Sequence, residues 1–216
     1  MIFRKKIQFK CGITLIEMIV AIAIFAISME GLTILFARTW KTNSYTLEMG
    51  QSSMTVSRGL SKMVNYIRGS RQADNGAYPI KSASDNDFVV YSDYNKDSIT
   101  ERLHFYKSGQ DILMGVTSPT STIPKTYPSG DQQIVTIANH IVNEANIPVF
   151  YYYNKDYPGD IENNPMDMPI DISEVRLLKI YLKININPNR APDNIEMQSF
   201  AEIRNLNDYD KVGNQN

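Results

Sequence analysis

Hydrophobic positions change their spacing twice along this chain. From Ile13 to Phe36 the residues are apolar on every side, and Glu17 and Glu30 are the only charges. About 20 mainly apolar helical residues span a bilayer core, so this run is long enough to cross one. Further on, Leu47, Met54, Val56, Leu60, Met63, Val64 and Ile67 recur on a helical period, with Ser44, Ser52, Ser53, Ser57 and Ser61 mostly between them. No proline falls between Ile13 and Tyr78 to break the run. One helix is therefore expected from Ile13 to Arg68, roughly 80 Å long at 1.5 Å per residue. Its first half (13–36) reads as transmembrane and its second (37–68) as amphipathic and extracytoplasmic. Two helices broken near Thr42–Ser44 are the alternative.

After Arg68 the pattern changes. Gly69 to Tyr78 is polar, holds two glycines and runs into Pro79, a helix stop and linker. Beyond it, short segments rich in β-branched and aromatic residues predict strands at Asp87–Ser92, Ile99–Lys107, Gln110–Val116, Gln132–Ile137, Val149–Tyr153, Glu174–Asn187 and Ile195–Asn205. Ser118–Asp131 and Asn154–Pro169 read as proline-rich loops. The expected fold class is thus α+β, a long N-terminal helix packed on a C-terminal antiparallel β-sheet domain (79–207), with a polar tail over 208–216.

The head of the helix carries the most specific motif. Arg4, Lys5, Lys6 and Lys10 precede Gly12, with no acidic residue among them, and Gly12-Ile13-Thr14-Leu15-Ile16-Glu17 opens the apolar run. Gly12, Thr14, Leu15, Ile16 and Glu17 resemble, residue by residue, the class III signal of type IV pilins and type II secretion pseudopilins; Ile13 stands where most members have phenylalanine. The resemblance implies a basic leader (1–12) cut after Gly12 by a prepilin peptidase, N-methylation of the new N-terminus at Ile13, and an assembly role for Glu17. In that family this glutamate is thought to meet the N-terminal amine of a neighbouring subunit. A water-satisfied glutamate near the helix start is the plainer alternative. Val149–Tyr153, Val175–Ile186, Ala201–Leu206 and Ala21–Ala26 are similar to J-type minor pseudopilins, which implies a minor rather than a major subunit. The implied partners are other pilin or pseudopilin subunits, the prepilin peptidase and an inner-membrane assembly platform.

Charge and composition narrow the function further. The 216 residues carry a formal net charge of −1, with 22 Lys+Arg and 23 Asp+Glu; without the four leader cations, 18 basic residues face those 23 acidic ones. That balance offers no basic surface, so no nucleic acid is expected as a partner. Flanking positive charge favours a cytoplasmic N-terminus with the C-terminal domain across the membrane. The single cysteine, Cys11, lies in the leader, so the mature chain is expected to hold no disulfide. A lipobox is disfavoured, because Lys10 precedes Cys11 and the apolar segment follows it.

No phosphate-binding loop, metal-spaced His/Cys set or nucleophile elbow is visible. His104 and His140 lie far apart in sequence and read as surface or satisfied residues, and no enzyme is expected. One constellation stays open. Asp93, Asn95, Asp97 and Glu101 place oxygen ligands as a calcium loop begins, yet Ser98 replaces the expected glycine and Glu101 comes early. The same residues suit a solvated hairpin turn. Asp156, Asp160 and Glu162 form a second acidic loop. The reading is a membrane-anchored structural subunit without a resident cofactor, calcium aside. A non-polymerising single-pass protein with a ligand-binding β domain is the alternative.

Overall fold

A computed structural model describes residues 12–187, 189 and 193–206. Of the expected leader only Gly12 is among them, and the tail over 208–216 lies outside the described residues. The chain divides into two compact units, Met1–Leu47 and Glu48–Asn216. One helix, α1 (Leu15–Arg68), begins in the first and ends in the second without the alternative break near Thr42–Ser44.

In the first unit, α1 turns no apolar side chain from Ile13 to Phe36 into protein: Ile13 is 83 %, Phe25 65 % and Phe36 69 % exposed. By length and composition it can cross a membrane. Its hydroxyls are satisfied internally, as a lipid environment requires. Ser28 Oγ donates to Ile24 O and Thr33 Oγ1 to Met29 O, both at 2.8 Å.

The second unit holds the last turns of α1 and eight strands. These are β1 (Ile80–Ala83), β2 (Asp87–Ser92), β3 (Glu101–Ser108), β4 (Asp111–Thr117), β5 (Gln133–Ala138), β6 (Phe150–Tyr153), β7 (Leu177–Ile184) and β8 (Ile195–Glu202). They form two antiparallel sheets, β1-β2-β3-β4-β5 and β6-β7-β8. Val56, Leu60, Met63, Val64 and Ile67 make a buried stripe on α1 at helical spacing. It joins one core with Phe88, Val90, Leu103, Phe105 and Met114 of the first sheet and Phe150, Tyr152, Leu178, Ile180 and Leu182 of the second. Each such side chain contributes about 1.5–3 kcal/mol on burial. The sheets meet where Val149 N and Phe150 N both donate to Asp85 O at 3.0 Å, and Tyr152 Oη donates to Ser84 O at 2.8 Å.

Strand existence follows the sequence pattern closely, with two differences. β1 has no alternating pattern of its own; Ile80 alone is buried, and the strand exists because β2 offers it a ladder. The strands also form two sheets instead of one. β7 is shorter than Glu174–Asn187, because Glu174 N turns back to Asp171 O and Asn185 N leaves for His140 O.

Two glycines hold parts of this unit together by what they lack. A Cβ on Gly59 would sit 2.0 Å from Ile137 O, so only glycine lets α1 lie this close to β5. A Cβ on Gly115 would sit 2.1 Å from Asp131 Cγ. The bare Cα there leaves room for that carboxylate over β4.

Candidate functional site at the helix N-terminus

The motif residues converge on the first turn of α1. Thr14 stands just before the helix as its N-cap, and Met18 N closes the first turn on Thr14 O at 3.1 Å. Thr14 Oγ1 accepts a hydrogen bond from Glu17 N at 3.3 Å, while Glu17 Oε2 accepts from Thr14 N and Thr14 Oγ1, each at 2.8 Å. This is a reciprocal capping box, Thr-x-x-Glu, which satisfies otherwise orphaned donors at both ends of the turn. The carboxylate is drawn back toward the chain start and rests one residue from Ile13. Gly12 is exposed, with nothing within 4 Å of where its Cβ would be. Three properties thus meet in six residues: an exposed Gly12, a carboxylate held against Thr14 N and Oγ1, and Oε1 of Glu17 free of hydrogen bonds among the described residues.

The structure brings Asp93, Asn95 and Asp97 into one turn, with Glu101 at its base. Asp93 Oδ1 and Asn95 Oδ1 each accept from Asp97 N at 3.2 Å, Asp93 Oδ2 from Ser98 N at 3.0 Å, and Asp97 Oδ1 from Ile99 N at 2.7 Å. Asn95 Nδ2 donates to Asp97 Oδ2 at 2.8 Å, and Arg71 Nη2 lies 3.5 Å from Asp93 Oδ2. Glu101 is buried and its Oε2 accepts from Tyr94 N at 2.9 Å. Burial pushes its carboxyl above the usual range; the Tyr94 N–H opposes the shift, and the charges of Asp97 and Asp93 add to it. The oxygens are therefore spent on closing the turn. Among the described residues no group of three or more His, Cys, Asp or Glu side chains is placed to hold a metal. In the second acidic loop, Asp160 accepts from Asn163 Nδ2 and from the N–H groups of Glu162 and Asn163, and the Asn163 side chain first among these lowers its pKa.

One polar cluster has no motif in the sequence to announce it. His104 lies between two carboxylates, Nε2 at 2.6 Å from Asp87 Oδ2 and Nδ1 at 2.9 Å from Asp131 Oδ2. Arg102 beside it donates to Pro128 O at 2.8 Å, to Thr117 Oγ1 at 2.9 Å and to Gly130 O. These bonds fasten the loop after β4 onto the sheet. Its far end is held by Tyr127 Oη donating to Thr100 O and by Lys125 Nζ against Asp74 Oδ2, both at 2.6 Å. Both ring nitrogens of His104 are engaged, so the cluster works as a clamp. His140 lies in a connector, where its carbonyl accepts from Asn185 N at 3.0 Å. The partners of His104 are 17 and 27 residues away, and only the alternation of β3 (Arg102 and His104 on one face) hinted at them.

Residues 8–29 match the family model described as the prokaryotic N-terminal methylation motif. No curated protein and no solved structure matches the chain. The matched segment contains the peptide after Gly12, the Thr14–Glu17 capping box and the first half of the apolar helix, so motif and geometry describe the same site. Residues 8–29 thus carry the N-terminal methylation motif, the class III signal that the resemblance to type IV pilins and pseudopilins implied.

Proposed function

We propose that this pilin-type subunit is a minor pilin or pseudopilin. Cut after Gly12 and methylated at Ile13, it joins a filament or filament tip by packing α1 against the helices of other subunits. By its sequence pattern it resembles a J-type minor pseudopilin. The observation that carries the reading is the match over residues 8–29 at the head of a helix whose apolar side chains from Ile13 to Phe36 are all exposed. Such a surface is stable only in lipid or against other apolar helices, and the same helix can use both in turn. The β-rich unit then sits outside the cytoplasm. In this reading Glu17, whose Oε2 accepts from Thr14 N and Oγ1, receives the amine of a neighbouring subunit through Oε1. The subunit does mechanical and assembly work, drawn from the membrane by an inner-membrane platform.

Intact-mass spectrometry of the chain purified from membranes tests the processing step. The expected N-terminus is Ile13 carrying one methyl group. A mature chain that retains Met1–Gly12 refutes the reading and leaves a tethered β domain.

A further inference from the structure

The second unit contains a groove that the filament reading does not use. Thr55, Arg58, Gly59, Lys62 and Tyr66 fall on one face of α1 and look across a cavity of about 260 Å³ to Val135, Thr136 and Ile137 of β5. The floor is Met114, and the Tyr66–Tyr94 ring pair, 5.5 Å apart, stands at its side.

Three observations give this groove a chemistry. First, β5 is the end strand of its sheet. Backbone groups alternate sides along a strand. Gln132 N donates to Val116 O on β4, whereas Ile137 O faces Gly59 of α1. Val116 therefore faces β5, so Val116 and Met114 share backbone hydrogen bonds with their partners Gln133 and Val135, and the N–H and C=O of Ile134 and Thr136 point to the open edge. Second, Arg58 and Lys62 are exposed, one helical turn apart, and neither has an acidic partner within 4 Å among the described residues. Third, the spacings agree. Side chains at i and i+4 on a helix are roughly 6 Å apart, and those at i and i+2 on a strand roughly 6.8 Å apart.

We infer that β5 accepts an extended acidic segment of a partner polypeptide as a sixth strand, with carboxylates two residues apart facing Arg58 and Lys62. A strand edge beside a helix is the geometry of β-augmentation, in which main-chain hydrogen bonds supply affinity and the groove supplies selectivity. Only a polypeptide backbone can complete the edge; a free anion or a nucleic acid would meet the cations and leave Ile134 and Thr136 unmatched. The inference is independent of the filament reading.

The probe is a fluorescein-labelled octapeptide alternating valine and glutamate, with a lysine-for-glutamate counterpart as control. Fluorescence anisotropy with the full chain in detergent micelles reads its binding. The glutamate peptide is expected to bind at least about tenfold more tightly than the lysine peptide, the factor that about 1.4 kcal/mol provides. The double substitution Arg58→Glu/Lys62→Glu should reverse the preference. Ile134→Pro removes an edge donor that β4 does not use, so it should weaken the glutamate peptide by a similar factor while the unfolding midpoint stays at the wild-type value. No binding, equal binding of both peptides, or full binding to a folded Ile134→Pro protein overturns the inference. Self-association of the chain that Ile134→Pro abolishes, without peptide binding, assigns the edge to a second copy and overturns it too.

Discussion

Glu17 can act as a helix cap, as an intersubunit charge, or as both, and two substitutions separate these roles. Glu17→Gln keeps an oxygen that can accept from Thr14 N and Thr14 Oγ1, now 2.8 Å from the carboxylate, so the capping box survives. It removes only the negative charge. Glu17→Ala removes both charge and cap, and a lost cap costs about 0.5–2 kcal/mol. Neither change should harm membrane insertion, because a carboxylate in a spanning helix costs up to about 2.5–3.5 kcal/mol at its centre. A charge-assisted hydrogen bond to a neighbour's amine contributes about 1.5–3 kcal/mol per subunit contact. That is on the order of a 10- to 100-fold loss in incorporation for either variant. The assay is the fraction of epitope-tagged subunit in sheared filaments against the fraction left in membranes. Both variants should reach the membrane at wild-type levels, and both should fail to leave it. If Glu17→Gln assembles normally while Glu17→Ala does not, capping is the whole role and the charge pairing is refuted.

The two helix glycines of the second unit should respond with opposite sign. Gly50→Ala meets nothing within 4 Å and should gain about 0.4–1 kcal/mol, whereas Gly59→Ala drives a methyl against the backbone of Ile137 and should lose about 1–3 kcal/mol, read as shifts in thermal midpoint. Asp74 is pulled below its ordinary range: burial raises it, but hydrogen bonds from Lys125 and Thr100 outweigh that. Its contribution is therefore complete above the unfolded carboxyl pKa and is lost as pH falls through the lowered folded value. Protease nicking of the loop around Lys125 should thus increase only below about pH 4, and earlier in Lys125→Ala. Glu101 is shifted the other way, so its ionisation disfavours the fold as pH rises through the raised value. Glu101→Gln should keep the Tyr94 N–H bond and match or exceed wild-type stability near pH 7. Were the turn a calcium loop, millimolar calcium would raise the wild-type midpoint and not that of Glu101→Gln.

Much of this architecture was legible in the sequence because it rests on local rules. The long helix follows from the absence of proline and from a stripe that repeats every three or four residues. β2 matches its expected bounds at Asp87–Ser92, since Phe88 and Val90 face the core and Asp and Asn residues flank the strand. The site at Gly12–Glu17 was readable as a motif, but the capping box was not singled out, although Thr14-x-x-Glu17 spells one. What stayed hidden depends on distant partners. Ile80–Ala83 is a strand only because β2 lies alongside. His104 meets Asp87 and Asp131 only once β2, β3 and the following loop are assembled. The division into two sheets arises at Asp85, whose carbonyl is shared by Val149 and Phe150, and no periodicity encodes that junction.

The two units solve the burial of apolar surface differently, and substitutions should reveal it. Met63 is fully buried in the core of the second unit. Met63→Ala removes three heavy atoms from a packed site, which costs about 2–5 kcal/mol. For a domain of this size each kcal/mol lowers the midpoint by about 2–4 °C, so a fall on the order of 4–20 °C is expected by circular dichroism in micelles. Ile24 is just as hydrophobic but 60 % exposed. Ile24→Ala should leave that midpoint unchanged and instead weaken incorporation into filaments, where neighbouring helices would cover the side chain. Equal destabilisation by both substitutions would mean that residues 13–36 already pack within the folded monomer, and the need for partner helices would disappear with it.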